Sequence, residues 1–258
     1  MEVNIYPRIK EFEHLLELYP PIKANKFLPE WYKNQKFNNY IDSINAKNNE
    51  VQSAKNCPAI QDEMTSGFII PSWSDVYIYR NDEGFISWDV RIGGSFPDEL
   101  EWVGNQTDEQ IKGMGLKAIP NFGVLKLVSP YFYEASEGYG LRFSDPFYHH
   151  RRNIRFLPAM VEADIWHGTN FPFEFFVDVD DLDDKKCMIK AGDPLLMVTP
   201  YKKENTFDLN VNKWDEDFDK KQSDNLKLLH SVSESFTRYK KTKNNLWDIY
   251  DIIQRWII

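Results

Sequence analysis

The sequence predicts a mainly β fold, a sandwich or barrel, with short N-terminal helices before it and a C-terminal helical extension after it. Val76 and Ile78 alternate with tyrosines, and after a turn-forming stretch Ile86, Trp88 and Val90 alternate with other residues. This period of two is typical of a β-hairpin with one buried face. Further short apolar runs are separated by Gly, Pro and Asp without intervening helices, which favours a sandwich or barrel; they lie at 124–128, 140–144, 159–166, 173–178, 186–190 and 195–199.

Residues 1–55 are expected to form a helical and extended N-terminal arm. Ile9, Phe12 and Leu16 recur at helical spacing, and two prolines then end the helix. A second short helix is predicted at 28–32, with proline in its first turn. The rest of the arm is rich in Asn, Lys and Ser, and we interpret it as an exposed connection.

The β-domain is expected over residues 56–204, and residues 205–258 are expected to form a C-terminal helical segment. Ser223 can cap a helix whose apolar face begins at Leu226, and a second apolar stripe runs through 246–256. An apolar C-terminus is costly to leave in water. The segment is therefore predicted to pack on the β-domain or on a neighbouring subunit.

Composition excludes several classes of protein. Of the 258 residues, 31 are Lys or Arg and 40 are Asp or Glu, so the formal net charge is −9 and nucleic acid is disfavoured as a partner. No apolar stretch approaches membrane-spanning length, and the first residues lack the pattern of a signal peptide. Cys57 and Cys187 form no recognisable motif, which favours a reducing compartment.

One stretch of the chain concentrates arginine, histidine and aromatic side chains. Guanidinium groups beside aromatic rings could hold a carboxylate, a phosphate or a nucleobase. The alternative is that these arginines pair with the many acids of the chain and have a structural role. The residues predicted to bind an anion are Arg142, His149, His150, Arg151, Arg152 and Arg155.

A metal site is the alternative interpretation of the histidines. The chain has neither HExxH nor the His-x-Asp or His-x-Glu pair of iron enzymes. Ligands can still converge from distant positions without a local motif, although Asp164 and His167 point to opposite faces of a predicted strand. The residues that would bind iron or another divalent metal are His149, His150, Asp164 and His167. Apart from this alternative, the sequence predicts no cofactor.

A Gly-Asp turn between two apolar runs is the sharpest local signal of fold. Residues 189–198 contain a strand, the turn Gly192-Asp193 and a second strand. Glycine permits a positive φ, and the aspartate can accept hydrogen bonds from neighbouring amides. The step resembles one used by jelly-roll and cupin proteins and by trimeric dUTPase-like barrels. The catalytic motifs of those families are missing, so the turn predicts a jelly-roll or cupin-like fold and no activity.

Three blocks of sequence form a further pattern. They are Leu28-Pro29-Glu30-Trp31-Tyr32-Lys33; Lys55-Asn56-Cys57-Pro58 with Asp62, Gly67-Phe68-Ile69-Ile70-Pro71 and Asp75; and Glu137-Gly138-Tyr139-Gly140 with Asp145-Pro146, Asp164, Phe171-Pro172-Phe173 and Gly192-Asp193-Pro194. Together they resemble a family of unknown function found in tailed phages and aquatic bacteria. The chain departs from that pattern at Gly140 and Met197, where serine and glutamine are expected. The resemblance implies a compact β-domain and a phage source, and it carries no assigned activity, cofactor or catalytic residue.

The sequence therefore favours a non-enzymatic, phage-associated protein that acts through oligomeric assembly or binding, as a virion or accessory component. Its expected partners are further copies of itself or other protein subunits, in the cytoplasm of the host cell or in the virion. The alternative is a cupin-like metal-dependent oxygenase or isomerase whose small anionic substrate is held by Arg151 or Arg152. A third hypothesis is recognition of a sugar or nucleotide through Trp73, Trp88 or Trp166.

Overall fold

The computed structural model describes residues 1–35, 57–80, 82, 86–91, 103–105, 109, 113, 122–149, 154–176, 186–204, 208–211, 216–217 and 219–221. The chain divides into two units. The first consists of Met1–Lys33 and Asp62–Asn205, and it contains the β-sheets. The second consists of Asn34–Gln61 and Thr206–Ile258, and most of it lies outside the described residues.

Sheet A is built around one long strand, β7 (Phe122–Ala135). In this sheet β1 (Val3–Pro7) pairs with β7, which pairs with β11 (Gly168–Phe176), and β11 pairs with β9 (Ile154–Phe156). A short strand, β6 (Val103–Asn105), also pairs with β7. The pairing of β7 changes along its length, because its last five residues face β1 while its first half faces β6 and β11.

Sheet B has five strands in the order β10, β8, β13, β3 and β2. Their bounds are Ala159–Val161 for β10, Tyr139–Ser144 for β8, Pro194–Lys202 for β13, Phe68–Pro71 for β3 and Ile22–Lys23 for β2. All four pairings are antiparallel. Since β10 and β2 end the sheet, their outer edges have no strand partner among the described residues.

Sheet C contains the hairpin that the alternating residues predict. Strand β4 (Asp75–Arg80) pairs with β5 (Ile86–Arg91), and Ile78 lies opposite Trp88. The third strand, β12 (Lys186–Ile189), pairs with the other edge of β4. It leads into the predicted Gly-Asp turn.

The Gly192-Asp193 turn forms as the sequence predicts. Gly192 has φ of 87°, in the left-handed region that glycine adopts without strain. The carboxylate of Asp193 accepts a hydrogen bond of 3.1 Å from the amide of Lys190. The turn is also held from outside, because the amide of Gly192 donates to the carbonyl of Ser72 at 2.7 Å.

The described helices are short. They are α1 (Glu13–Leu18), α2 (Glu30–Lys33) and α3 (Pro58–Thr65), with 3₁₀ turns at Lys10–Phe12, Ala24–Lys26 and Phe147–His149. The first two occupy the places predicted from periodicity and proline, whereas α3 lacks a strong apolar stripe and was not predicted. No helix among the described residues is long and apolar enough to cross a membrane.

Sheets A and B pack face to face over a shared core, so the mainly β prediction is confirmed and the first unit has the arrangement of a sandwich. The ring of Phe143 on β8 lies 5.4 Å from that of Tyr133 on β7 and 5.2 Å from that of Phe171 on β11. The hydroxyls of Tyr133 and Ser129 share a buried hydrogen bond of 3.0 Å. A buried polar group inside the aromatic core is thereby satisfied.

The N-terminal residues contribute two strands to the sheets as well as short helices. Strands β1 and β2 belong to sheets A and B, and Met1–Lys33 belongs to the same unit as those sheets. Neither short strand has enough alternating residues to be recognised from sequence alone. The predicted C-terminal helices at 223–256 and the predicted connection at 38–55 lie outside the described residues.

Candidate functional site

The segment after β8 in sheet B has an unusual distribution of apolar side chains. The sequence predicts one strand over 159–166, but β10 ends at Val161. The chain then turns, because the amides of Ile165 and Trp166 both donate to the carbonyl of Glu162, at 2.9 and 2.8 Å. The predicted alternation across Asp164 and His167 is therefore wrong, since a turn and not a strand carries Asp164.

Three large apolar side chains of this segment are exposed to solvent. Met160 is 64% exposed, Ile165 71% and Trp166 67%, while Ala163 between them is buried in the core. Single exposed apolar residues are common on protein surfaces, but three within seven residues form a concentration that calls for an explanation. We call Met160, Ile165 and Trp166 the apolar edge, because they lie on or next to the end strand of sheet B.

Asp164 fixes the turn that carries the apolar edge. Its carboxylate accepts a hydrogen bond of 3.0 Å from the amide of Gly138 and bonds of 3.1 and 3.2 Å from the Nζ of Lys203. Gly138 has φ of 78°, which glycine adopts readily and which helps to close the connection between β7 and β8. Lys203 also pairs with Glu162 at 2.9 Å. Three chain segments are thus tied together at one carboxylate.

The electrostatics of this cluster favour its charged form. Burial would raise the pKa of Asp164, but the hydrogen bonds from Lys203 and Gly138 outweigh it and lower the pKa below its ordinary value. Hydrogen bonds to Glu162 and Asp164 raise the pKa of Lys203. Because each charge already has a partner, the arrangement is suited to holding structure and not to exchanging protons with a substrate.

A shallow depression of about 620 Å³ lies beside the turn. We call it the acidic depression, since three of its lining residues are acids and one is a lysine. It is open to solvent, and Ile165 of the apolar edge forms part of its wall. The lining residues are Glu137, Gly138, Asp164, Ile165, Lys203 and Glu204.

The outer face of sheet B continues from the apolar edge onto β8 and β13. Arg142 lies directly across from Met160 on one side and from Thr199 on the other, and it is exposed. Two residues further along the same face, Tyr201 of β13 lies opposite Gly140 of β8. The ring of Tyr201 occupies the space that a side chain at position 140 would need. Gly140 therefore allows the aromatic ring to lie across the sheet.

Two of the arginines predicted to bind an anion lie on different sheets. Arg142 points outward from sheet B, whereas Arg155 on β9 points outward from sheet A, because its neighbours Ile154 and Phe156 are buried. The two arginines thus belong to different sheets, and the anion site that includes them stays a prediction. His150, Arg151 and Arg152 lie outside the described residues, so their part of the anion site stays a prediction.

His149 lies in an aromatic contact with the N-terminal residues. Its ring centroid is 5.8 Å from that of Phe27. Next to it, the indole Nε1 of Trp31 donates to the carbonyl of Tyr148 at 2.6 Å. The sequence indicates aromatic groups in this loop, but it does not show that Phe27 and Trp31 contact them.

The described residues do not bring the predicted metal ligands together. No three His, Cys, Asp or Glu side chains are grouped as metal ligands within the described residues. Asp164 is engaged by Gly138 and Lys203, and His167 lies on the exposed surface, where its carbonyl accepts from the amide of Tyr133 at 2.9 Å. His150 is outside the described residues, so the site made from His149, His150, Asp164 and His167 stays a prediction.

The three tryptophans proposed for ligand recognition have different surroundings. Trp73 is fully buried and packs edge-on against Tyr131 at 5.8 Å, so it is a core residue and not a binding platform. Trp88 is partly buried and packs against the same core. Trp166 alone among these three is exposed, in the segment described above. Residue type did not distinguish them.

Sequence reasoning missed the residues that complete the site. Glu162 and Lys203 were not singled out, and they are far apart in sequence although their charged groups are 2.9 Å apart. Gly138 and Asp164 both belong to the third of the sequence blocks, which is the signal in the sequence that brings them together, and the structure joins them by a hydrogen bond. Comparisons of the chain with protein-family models, with curated proteins and with solved structures gave no match.

Proposed function

We propose that this protein acts without catalysis, as a phage-associated virion or accessory component that works by association with other protein subunits or with copies of itself. The apolar edge is the observation that carries the proposal. Water-exposed large apolar side chains in a group are a feature of surfaces that become buried on association.

The strand beside the apolar edge supports the same proposal. β10 is the end strand of sheet B among the described strands, so one side of it has no β-ladder. Unpaired strand edges can accept further chains, and proteins that do not use them usually protect them with charge or proline. Here the outward residue of β10 is Met160, which is apolar and exposed.

The rigidity of the turn also favours binding. Asp164 holds the turn to Gly138 and Lys203, so Ile165 and Trp166 are presented on a fixed backbone. A surface that is ordered before association loses less conformational entropy when it binds.

The test is the size of the protein in fresh native extract. An antibody against the chain, applied to size-exclusion fractions, is expected to detect it at an apparent mass well above the 30.5 kDa of one chain. The purified chain, measured by light scattering, then shows whether copies of itself account for that mass. Elution as a free monomer in native extract at every salt concentration would contradict the proposed function.

A further inference from the structure

We infer that the apolar edge and the acidic depression together form a docking site for a basic protein segment, one that carries an apolar side chain flanked by lysine or arginine. This inference rests on the proposed function and specifies the chemistry of the partner. It commits to a partner other than a second copy of the chain.

The apolar half of the site is an anchor. Ile165 and Trp166 are both more than three-fifths exposed, and they are adjacent on a turn that two hydrogen bonds to the Glu162 carbonyl close. Tryptophan is enriched among the residues that dominate binding free energy, because a large rigid ring buries much area at little entropic cost. An apolar side chain of the partner is expected to pack against this pair.

The charged half of the site selects the flanking residues. Lys203 is the one basic residue in a group with four acids that line the depression or pair with its ammonium, so the formal charge of the group is −3; the acids are Glu137, Glu162, Asp164 and Glu204. Lys203 is already paired with Glu162 and Asp164. Glu137 and Glu204 are exposed at the depression and remain to attract a cation.

Neighbouring cations do not cancel this charge. Lys202 is the last residue of β13, and because successive residues of a strand point to opposite faces, its side chain is directed away from the face that carries Tyr201 and Met160. Arg142 lies beside Met160, at the far end of the apolar edge. A basic segment is thus expected to place its cations near Glu137 and Glu204 and its apolar residue near Trp166.

Charge also disfavours binding of the other partners that an exposed apolar surface could have. A second copy would bring the same acidic group and a second net charge of −9 to the interface. An anionic membrane surface and a nucleic acid would both be repelled by these carboxylates. A basic protein segment is the partner that satisfies the apolar and the charged halves together.

The experiment measures binding of short fluorescein-labelled peptides to the full chain by fluorescence anisotropy. The first peptide has a Leu-Ile centre flanked by arginines, the second has the same centre flanked by glutamates, and the third has arginines around a Ser-Ser centre. The first is expected to bind, with an affinity that falls as salt rises. The third is expected to bind at least about tenfold more weakly, and the second not at all.

Two variants of the chain assign the binding to this site. Trp166→Ala is expected to weaken binding of the first peptide by about 30-fold, the effect of losing a dominant contact residue. Glu137→Gln with Glu204→Gln is expected to weaken it by about tenfold and to reduce the salt dependence. Circular dichroism is expected to show native folding in both, because the substituted side chains are exposed.

Matched controls test whether any exposed aromatic or acid would do. Phe147→Ala removes a ring that is 72% exposed elsewhere on the same unit, and Glu13→Gln with Glu17→Gln removes two exposed carboxylates from α1. Neither control is expected to change the affinity by more than about twofold. Equal losses in controls and site variants would show non-specific attraction to an acidic protein and would overturn the inference.

Three further results would also overturn it. They are equal binding of the peptide flanked by glutamates; self-association of the pure chain that Trp166→Ala abolishes; and adsorption to phosphatidylcholine vesicles that the same variant abolishes. The proposed function fails by a different observation, which is elution of the chain as a free monomer in native extract. A complex in native extract that persists with Trp166→Ala would retain the proposed function and reject this docking site.

Discussion

The core between sheets A and B and the apolar edge at β10 use the same kinds of side chain in opposite environments. In the core, Tyr133, Phe143 and Phe171 contact one another and are almost fully excluded from water. At the edge, Ile165 and Trp166 are mostly in water although Asp164 holds their backbone firmly. The contrast separates two roles for aromatic residues: stabilising the fold, and contacting a partner. Folding stability is expected to depend on the first region and association on the second.

The largest expected effect lies in the core. Phe143→Ala removes a ring that two others contact, so the free energy of unfolding is expected to fall by about 3–5 kcal/mol. Chemical denaturation monitored by circular dichroism measures the change. The exposed Phe147→Ala serves as its control and is expected to change stability by no more than about 0.5 kcal/mol. Equal losses from both variants would contradict the distinction between core and surface.

A smaller effect is expected from the buried hydroxyl pair. Ser129→Ala leaves the hydroxyl of Tyr133 without its partner, and the expected loss of stability is about 1–3 kcal/mol. Adding Tyr133→Phe removes the hydroxyl that has lost its hydrogen-bond partner. The double variant is therefore expected to lose less stability than the sum of the losses of the two single variants. Strict additivity in this double-mutant cycle would show that the two hydroxyls do not interact.

The cluster under the apolar edge gives a pH-dependent effect. The pKa of Asp164 is lowered from 3.8, so its stabilisation is present above that pH and is lost as pH falls through the lower native value. The pKa of Lys203 is raised from 10.5, so its stabilisation is present below that pH and is lost as pH rises through the higher native value. The difference in melting temperature between wild type and Asp164→Asn is therefore expected to be constant between these limits and to shrink beyond both.

Lys203→Met tests whether this difference comes from the ion pair. In the Lys203→Met background, Asp164→Asn is expected to have a smaller effect than in wild type, because the main partner of the carboxylate is already absent. A melting difference that rises or falls steadily between pH 5 and 9 would contradict the assignment, since neither group titrates there.

The smallest effect on stability is expected at the exposed ring of the apolar edge. Trp166→Ala is expected to change the free energy of unfolding by no more than about 0.5 kcal/mol, because the side chain has few contacts to lose. The same denaturation measurement as for Phe143→Ala provides the comparison. A loss of several kcal/mol would show that Trp166 is part of the folded core and would remove the basis of the binding surface.

Local patterns were a good guide to individual strands and a poor guide to what pairs with them. The β4–β5 hairpin and the Gly192-Asp193 turn are short-range structures whose signals lie within a few residues, and both are present. Strands β1 and β2 depend on partners more than 40 residues away, and neither was predicted. Pairing over such separations is selected by the whole core, which a local window of sequence does not contain.

The candidate site was only partly predictable for the same reason. Asp164 was selected as a metal ligand from its proximity to His167, yet its partners are Gly138 and Lys203. Arg142 and Arg155 are close in sequence, and the structure places them on strands of two different sheets. Chemistry that depends on which side chains meet in space requires the pairing of the strands first.

By itself the sequence determined that the middle of this chain forms antiparallel strands around an apolar core, since alternation and turn residues act through neighbouring residues. Only the tertiary structure decided that Trp73 is buried and Trp166 exposed, and that one carboxylate joins the β7–β8 connection to the end of β13. The physical reason is that solvent exposure and charge pairing are set by segments that approach from distant parts of the chain, and the identity of a residue does not specify which segment it will meet.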